Sequence, residues 1–585
     1  MPSYFPSIDS ARELKYGLDP VLDALLLHFM TENNLEHSID PAKNASPEQV
    51  RFMVALDENA FYAPCGDWML HFLLKARLNP ALEAEYAQQW RLLVNLIRKH
   101  VPEKPLRRRI LHLCSHKFRM TLRTPILIPS RLLKRMLTIF LTQSGLEDPF
   151  RDLKRAMNQR AQAFVEGREY AQFVNICPED RLQCANITEL RFELDLLELE
   201  RLLYLSTQKA VWEESAGPIP LDSERMRSSI DGVDFSALRT IFHPSRGPLR
   251  ILYLPRASGG IMLDIKAVRA LLRQGHRVVM AIKDGFYFDS PTVWDLERDP
   301  VLAGELKDAY FIQDDRISKN ELLQAMREHQ LVVISDGTRE RFNPYRLSVT
   351  FARAWKECDL ILAKGEAYYR RFIGTSHEFT RDILVFFSDE QGKFRMFHKP
   401  HHPDVQKFSE EALIGRAEGI IAQMRRARAA GKTVMFYSAV VGSIPGQVKT
   451  AIEVLNTFVG YLRSRLDDAF IINPGEHFEE GMDADDLMFM WERVQRSGLL
   501  NVWRFQTDAD IEKSFELMGK KVPPAWAGKD STYSTGCTKE MGIALSVQRR
   551  QPELQIIGPA PEKFLRRREY GVGKFFDATI SGAGG

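Results

Sequence analysis

The stretch that decides the fold is Leu249–Ile282, LRILYLPRASGGIMLDIKAVRALLRQGHRVVMAI. A short apolar run enters a small, glycine-containing turn. Apolar residues at three- and four-residue spacing follow, and a second β-branched run closes the segment. Short apolar runs bounded by turn residues read as buried strands, and the spacing between them reads as an amphipathic helix. Strand, helix, strand is the parallel crossover unit. The alternation continues with AYFIQD, LVVIS and DLILAKG as strands, and with SKNELLQAMREH and YRLSVTFARAWKE as helices. The expectation for 246–405 is therefore an α/β domain built on a doubly wound parallel sheet.

Outward from this segment the texture changes twice. Residues 1–245 carry helical periodicity in VLDALLLHFM, EYAQQWRLLVNLIRKH, SRLLKRMLTIFLTQ and ELRFELDLLELERLLYLS, and read as a helical N-terminal region or a cap. RRRILHLCSHKFRM in that region is rich in bases and reads as a solvated helix face. Near residue 400, FHKPHHPD places His398, His401, His402 and Asp404 together. Those are metal-ligand types, but two prolines make the stretch irregular, and it reads as a linker or hinge. Beyond it, TVMFYSAVVG, DAFIINP, NVWRFQ and ELQIIGP alternate with helical patterns, so 406–585 is expected to be a second α/β domain.

The 585 residues are 44% hydrophobic and 27% charged, which is ordinary globular composition. A net charge of +3 gives no reason to expect a nucleic-acid partner. No apolar run approaches the ~20 residues that span a bilayer, so no membrane partner is expected. The first residues, MPSYFPSIDSAREL, lack a basic segment followed by an apolar core. The six cysteines are scattered, as in a reducing compartment, and the expected localisation is cytoplasmic. Cys177 and Cys184 are the only close pair, at a spacing wrong for a zinc knuckle.

In open parallel sheets, ligands bind beyond the carboxyl ends of the strands. The loops there are PRASGG, KDGFYFDSPT, SDGTRERFNP and KGEAYYRRF. They supply Arg256, Ser258, Gly259, Gly260, Asp284, Asp289, Ser290, Ser335, Asp336, Gly337, Lys364, Gly365 and Glu366. Amides of a Ser-Gly-Gly turn at a helix start can approach an anion, and Arg256 and Lys364 add positive charge. Asp289 and Asp336 offer oxygen to Mg²⁺ or Mn²⁺. Asp, Ser and Gly are also what such turns use in any protein, so the argument rests on four loops converging.

The stretch 250–372 resembles the damage-control phosphatases, a family of metal-dependent enzymes. DLILAKGEAYYRRF is similar to the family's Lys-Gly-acidic stretch, in which Lys364 takes the place of a phosphate-contacting lysine. HRVVMAIKDGFYFDSPTVWD and LVVISDG resemble the strands and loops before it, and DPFRDLKRAMNQRAQAF resembles a helical signature upstream. The resemblance implies a phosphatase-like hydrolase fold, a phosphorylated small molecule, and a divalent metal. It also implies an Asp-Asn-x-Gly-Glu motif where this chain has Arg256, Ala257, Ser258, Gly259 and Gly260. Two metal ligands of the family thus become a cation and a methyl, and Tyr368 replaces an Asn after Lys-Gly.

Three readings follow. The first is an enzyme with a rebuilt site, in which Asp289 or Asp336 is nucleophile or metal ligand and Lys364 and Arg256 are electrostatic clamps. The second is a module that binds a phosphorylated metabolite without cleaving it. The third is a scaffold whose activity resides in the C-terminal domain. There, SAVVGSIPGQVKTAIEVL lacks the spacing of a P-loop. The acid-rich GEHFEEGMDADDL reads as a helix start. GKDSTYSTGCTKEMGIAL offers Ser534, Thr535, Gly536, Thr538 and Lys539 at another helix start, either a capped helix or an anion-binding loop facing VVGSIPGQ. Cys537 at that start has the placement of a low-pKa nucleophile.

Overall fold

The structure is a computed structural model. It describes residues 10–35, 45, 47–57, 60–75, 78–175, 183–216, 233–441, 443–444, 447–477, 479 and 481–564. The close pair Cys177 and Cys184 therefore lies only partly within the described residues. The chain forms two compact units, divided at His402 and Pro403.

Strands of the first unit are β1 (Val54–Ala55), β2 (Arg250–Leu254), β3 (Arg277–Ile282), β4 (Tyr310–Ile312), β5 (Leu331–Ser335), β6 (Leu360–Lys364), β7 (Glu378–Phe379), β8 (Asp382–Ser388) and β9 (Phe394–Lys399). The main sheet has the order β4-β5-β3-β2-β6-β8-β9. Every neighbouring pair is parallel except β8 with β9. The five strands read from the sequence are β2 to β6. The β8–β9 hairpin extends the sheet beyond them, and β1 pairs with β7 separately.

Side chains alternate across a strand, and the two faces of this sheet show it. Leu252, Leu254, Val279, Val332, Ile334, Ile361 and Val385 enter one core with residues of the first 140 positions and with Phe351 and Trp355. Ile251, Tyr253, Val278, Met280, Val333, Leu362 and Leu384 enter the other. That second core holds Met157 and Ala161 of helix Arg151–Val165, Leu199 and Leu203 of helix Ile187–Thr207, and Ile261 and Leu271 of helix Gly260–Arg273. The N-terminal helices are thus divided between both faces of the sheet and belong to its compact unit.

The histidines at the break are paired with carboxylates. His401 Nδ1 lies 3.0 Å and His398 Nε2 3.8 Å from Asp382, and His402 Nε2 lies 3.1 Å from Glu378. Burial opposes charge on Asp382, but hydrogen bonds from His398 and His401 outweigh it and hold the carboxyl below its usual range.

The second unit has β10 (Thr433–Ser438), β11 (Ala469–Ile472), β12 (Val502–Phe505) and β13 (Gln555–Ile557). Their order is β11-β10-β12-β13, and all are parallel. These are the four strands read from the sequence. Among the described residues, no helix is long and apolar enough to cross a membrane.

Candidate functional site

The order of the first sheet reverses at β2. Its outgoing helix leads to β3 on one side, and β6 arrives on the other. The crevice beyond β2, β3 and β6 is where such a sheet places a ligand. The turn after β2 is held from several sides. Ala257 has φ 55° and Gly259 φ 78°, so two left-handed residues fold it back. The Ser258 N–H donates to the Asp289 carbonyl at 2.6 Å, and the Gly259 N–H donates to Asn158 Oδ1 at 2.5 Å. Asn158 comes from the helix Arg151–Val165, whose buried Lys154 binds Asp295 at 2.6 Å. A Cβ on Gly259 would lie inside the Trp212 side chain, so this position needs glycine for both conformation and space. Ser258 is buried, and its hydroxyl has no partner among the described residues.

Lys364, at the end of β6, lies behind this turn. Its Nζ bonds Asp264 Oδ2 at 2.5 Å and the Ser206 carbonyl at 3.2 Å, and it lies 2.9 Å from where a Gly260 Cβ would be. Both partners of the ion pair are buried, and Tyr253 Oη donates to the other Asp264 oxygen at 2.8 Å. Burial pushes the Lys364 ammonium down, with Asp264 partly restoring it. Burial pushes the Asp264 carboxyl up, with Lys364 opposing. Lys364 is tied into the fold here. It does not line the cavity described next.

That cavity lies between the carboxyl ends of β2, β3, β5 and β6. Four cations line it: Arg256, Lys283, Arg341 and Arg371. Among the described residues, the one carboxylate in its wall is Asp336, and it is already engaged. Lys283 Nζ binds Asp336 Oδ2 at 2.5 Å, Thr338 Oγ1 at 3.1 Å and the Glu340 carbonyl at 2.5 Å. Burial opposes the Lys283 charge, but Asp336 holds its pKa above the usual range. Arg371 is buried and, among the described residues, its side chain bonds only neutral groups: the Phe342 carbonyl at 3.1 Å, the Ala367 carbonyl at 3.4 Å and Ser130 Oγ at 3.2 Å. Burial, reinforced by the like charge of Arg341, pushes its pKa down to about 10. Arg341 Nε donates to Tyr287 Oη at 3.1 Å, and Arg256 makes no ion pair among the described residues. Tyr287 and Tyr368 complete the polar wall, and Tyr368 stacks on Phe372 at 5.4 Å.

The structure brings together some of the residues that the sequence singles out. Arg256, Ser290 and Asp336 share the cavity wall. Gly365, at φ 120°, lets the Arg256 side chain pass against it. Asp289 does not line the cavity, and its charge acts on Lys364 and Glu213. Glu366 turns outward to Arg370 at 2.8 Å. Ser335 Oγ accepts the Gly337 N–H at 2.9 Å, an internal turn bond. Among the described residues, no group of three or more His, Cys, Asp or Glu could hold a metal ion. Lys283, Arg341 and Arg371 are absent from the residues read off the sequence. Each sits within a loop that the sequence marks: Lys283 opens its loop two positions before Gly285, and Arg341 and Arg371 follow Gly337 and Gly365.

In the second unit, the Cys537 Sγ donates to the Ala439 carbonyl at 3.4 Å, so the start of helix Thr535–Gln548 does face the segment after β10. Two of its hydroxyls are spent locally. Ser534 Oγ accepts the Cys537 N–H at 3.3 Å, and Thr538 Oγ1 donates to the Ser534 carbonyl at 3.0 Å. Thr535 and Gly536 are half-buried and Lys539 is exposed. The expectation of a low-pKa Cys537 is overturned. The thiol is buried, and burial together with the neighbouring Glu540 pushes it well up. Glu540 itself is pushed up to about 7 by burial.

No protein-family model and no curated protein matches the chain. Among solved structures it is similar to a DUF89 family protein from Pyrococcus horikoshii, at 18% identity and a TM-score of 0.36, covering 53% of this chain and 91% of that one. Similarity at this level does not identify a family.

Proposed function

We propose that the first unit binds a phosphorylated small molecule in the cationic cavity, and that it does so without a divalent metal. The observation that carries this reading is the charge imbalance. Four cations meet one carboxylate, and that carboxylate is committed to Lys283. Like charges held together in a partly desolvated wall raise the site's affinity for an anion. Guanidinium groups match phosphate geometry through paired donors. The residues do not fit the metal that the phosphatase resemblance implies. Arg256 and Ala257 stand at two of its ligand positions, an ammonium already occupies Asp336, and Asp289 does not line the cavity. Asp289, Asp336 and Lys364 therefore lack the placement of a hydrolytic set, and binding is the function the geometry supports best.

The test is calorimetric titration with inorganic phosphate and a panel of sugar phosphates and nucleotides, in EDTA, against unphosphorylated controls. Phosphorylated compounds alone should bind. Arg256→Ala should weaken them about tenfold or more, the loss of one charge-assisted contact. Equal affinity in the parent and the variant, or binding that appears only with Mg²⁺ or Mn²⁺, contradicts the reading.

A further inference from the structure

The helix Lys104–Arg123 carries Lys104, Arg107, Arg108, Arg109, Lys117, Arg119 and Arg123, together with His112 and His116, and no acidic residue. From 104 to 146 the chain has ten Lys and Arg and no Asp or Glu. None of the seven cations on the helix forms an ion pair among the described residues. Such pairing is ordinary elsewhere in the unit, where Arg131 meets Glu340 and Arg135 meets Glu32.

The charges are also arranged. At 100° per residue, Lys104, Arg108, His112, His116, Arg119 and Arg123 fall on one side of the helix, and all six are exposed. Successive members lie about 5–6 Å apart along a face about 30 Å long. The opposite side, at Ile110, Cys114 and Thr121, is buried. The two helices packed against it do not neutralise the stripe. Helix Pro129–Ser144 has no acidic residue, and its cations Arg131 and Arg135 are paired elsewhere. Helix Pro80–His100 adds exposed Arg91, Arg98 and Lys99; of its acids, Glu85 is paired with Arg370, and Glu83 lies in the first turn.

We infer that this helix face docks on the phosphate backbone of a nucleic-acid duplex, without reading its sequence. A low net charge averaged over 585 residues conceals the stripe, which is why totals alone give no such partner. Arginine predominates, as suits paired donors to phosphate oxygens. No Phe, Tyr or Trp stands on the stripe: Phe118 packs on Trp90 at 5.0 Å, with the rings stacked. An exposed cationic rod without Phe, Tyr or Trp fits a duplex backbone better than a single strand. The exposed apolar residues Leu113 and Met120 lie at the margin of the stripe, too few to form the apolar face of a membrane-lying helix.

The test uses the full chain and a fluorescent 20-base-pair mixed-sequence DNA duplex, followed by anisotropy from 50 to 200 mM salt. With about four phosphate contacts, affinity should fall on the order of 100-fold over that range. A scrambled duplex should bind equally. Arg108→Ala/Arg119→Ala/Arg123→Ala should flatten the log–log salt slope by roughly three, and these exposed substitutions should leave the circular dichroism spectrum and the phosphate-ligand affinity unchanged. No binding at 50 mM salt overturns the inference. So does a triple variant that keeps the parental slope, or preferential capture by phosphatidylserine vesicles over the duplex.

Discussion

Replacing Lys364 with Met separates a ligand-binding lysine from a structural one. The ammonium is 5% exposed in its side chain and the Asp264 carboxylate 0%, at 2.5 Å. Deleting one member of such a pair strands the other charge in the interior, at a cost of about 3–5 kcal/mol. That is a large part of the ~5–15 kcal/mol by which folded domains are stable. Lys364→Met should therefore lower the urea midpoint of the first unit strongly, followed by tryptophan fluorescence with Trp355 and Trp212 as reporters. Asp264→Leu should do the same. The double variant Lys364→Met/Asp264→Leu should cost less than the sum of the singles, because no charge is left unpaired. Phosphate-ligand affinity, measured where Lys364→Met remains folded, should change little beside the effect of Arg256→Ala. A Lys364→Met protein within 1 kcal/mol of the parent, or one that loses binding and keeps its stability, refutes the reasoning.

Acid should weaken the first unit through two buried histidines. His276 and His377 are buried, accept the Leu249 and Ala63 N–H at 3.0 Å, and have pKa values held down at about 4, chiefly by burial. Between about pH 6.5 and 4 the unfolded chain binds protons that the folded one does not, so stability is full above that window and falls through it, by on the order of 3 kcal/mol for each histidine. Urea midpoints that are flat from pH 7 to pH 5 would contradict this. Gly259→Ala should destabilise the turn after β2 and reduce ligand binding together, since both its φ of 78° and Trp212 oppose a methyl; melting within about a degree of the parent would show that the turn has slack. Cys537 should resist iodoacetamide at neutral pH in the native state, and labelling as fast as a free exposed thiol would show that its pocket opens.

Most of the fold was legible because β2 to β6 are apolar runs separated by amphipathic helices, and burial on both faces of a parallel sheet writes that pattern into the chain. β8 and β9 were not singled out. No long helix precedes Asp382, so the alternation stops, and Phe394–Lys399 is an edge strand that mixes Phe394 and Met396 with Arg395 and His398. The site was legible by location and less so by role. The turn glycines and Arg256 announce an anion-binding loop. The partners that decide what each charge does are far away in sequence: Asp264 is 100 residues from Lys364, and Asp336 is 53 from Lys283. Arg341 and Arg371 lie in loops that were marked, but only the folded chain shows that both point toward one cavity with no carboxylate to spare.

The most direct test of the central claim is a crystal structure of the protein soaked with tungstate, a heavy phosphate mimic, in the presence of EDTA. The account predicts an anomalous peak in the cavity, within hydrogen-bonding reach of Arg256, Arg341 and Arg371 and with Lys364 still on Asp264. An empty cavity with the anion bound elsewhere contradicts it, as does a parallel Mn²⁺ soak that places the metal on Asp289 and Asp336.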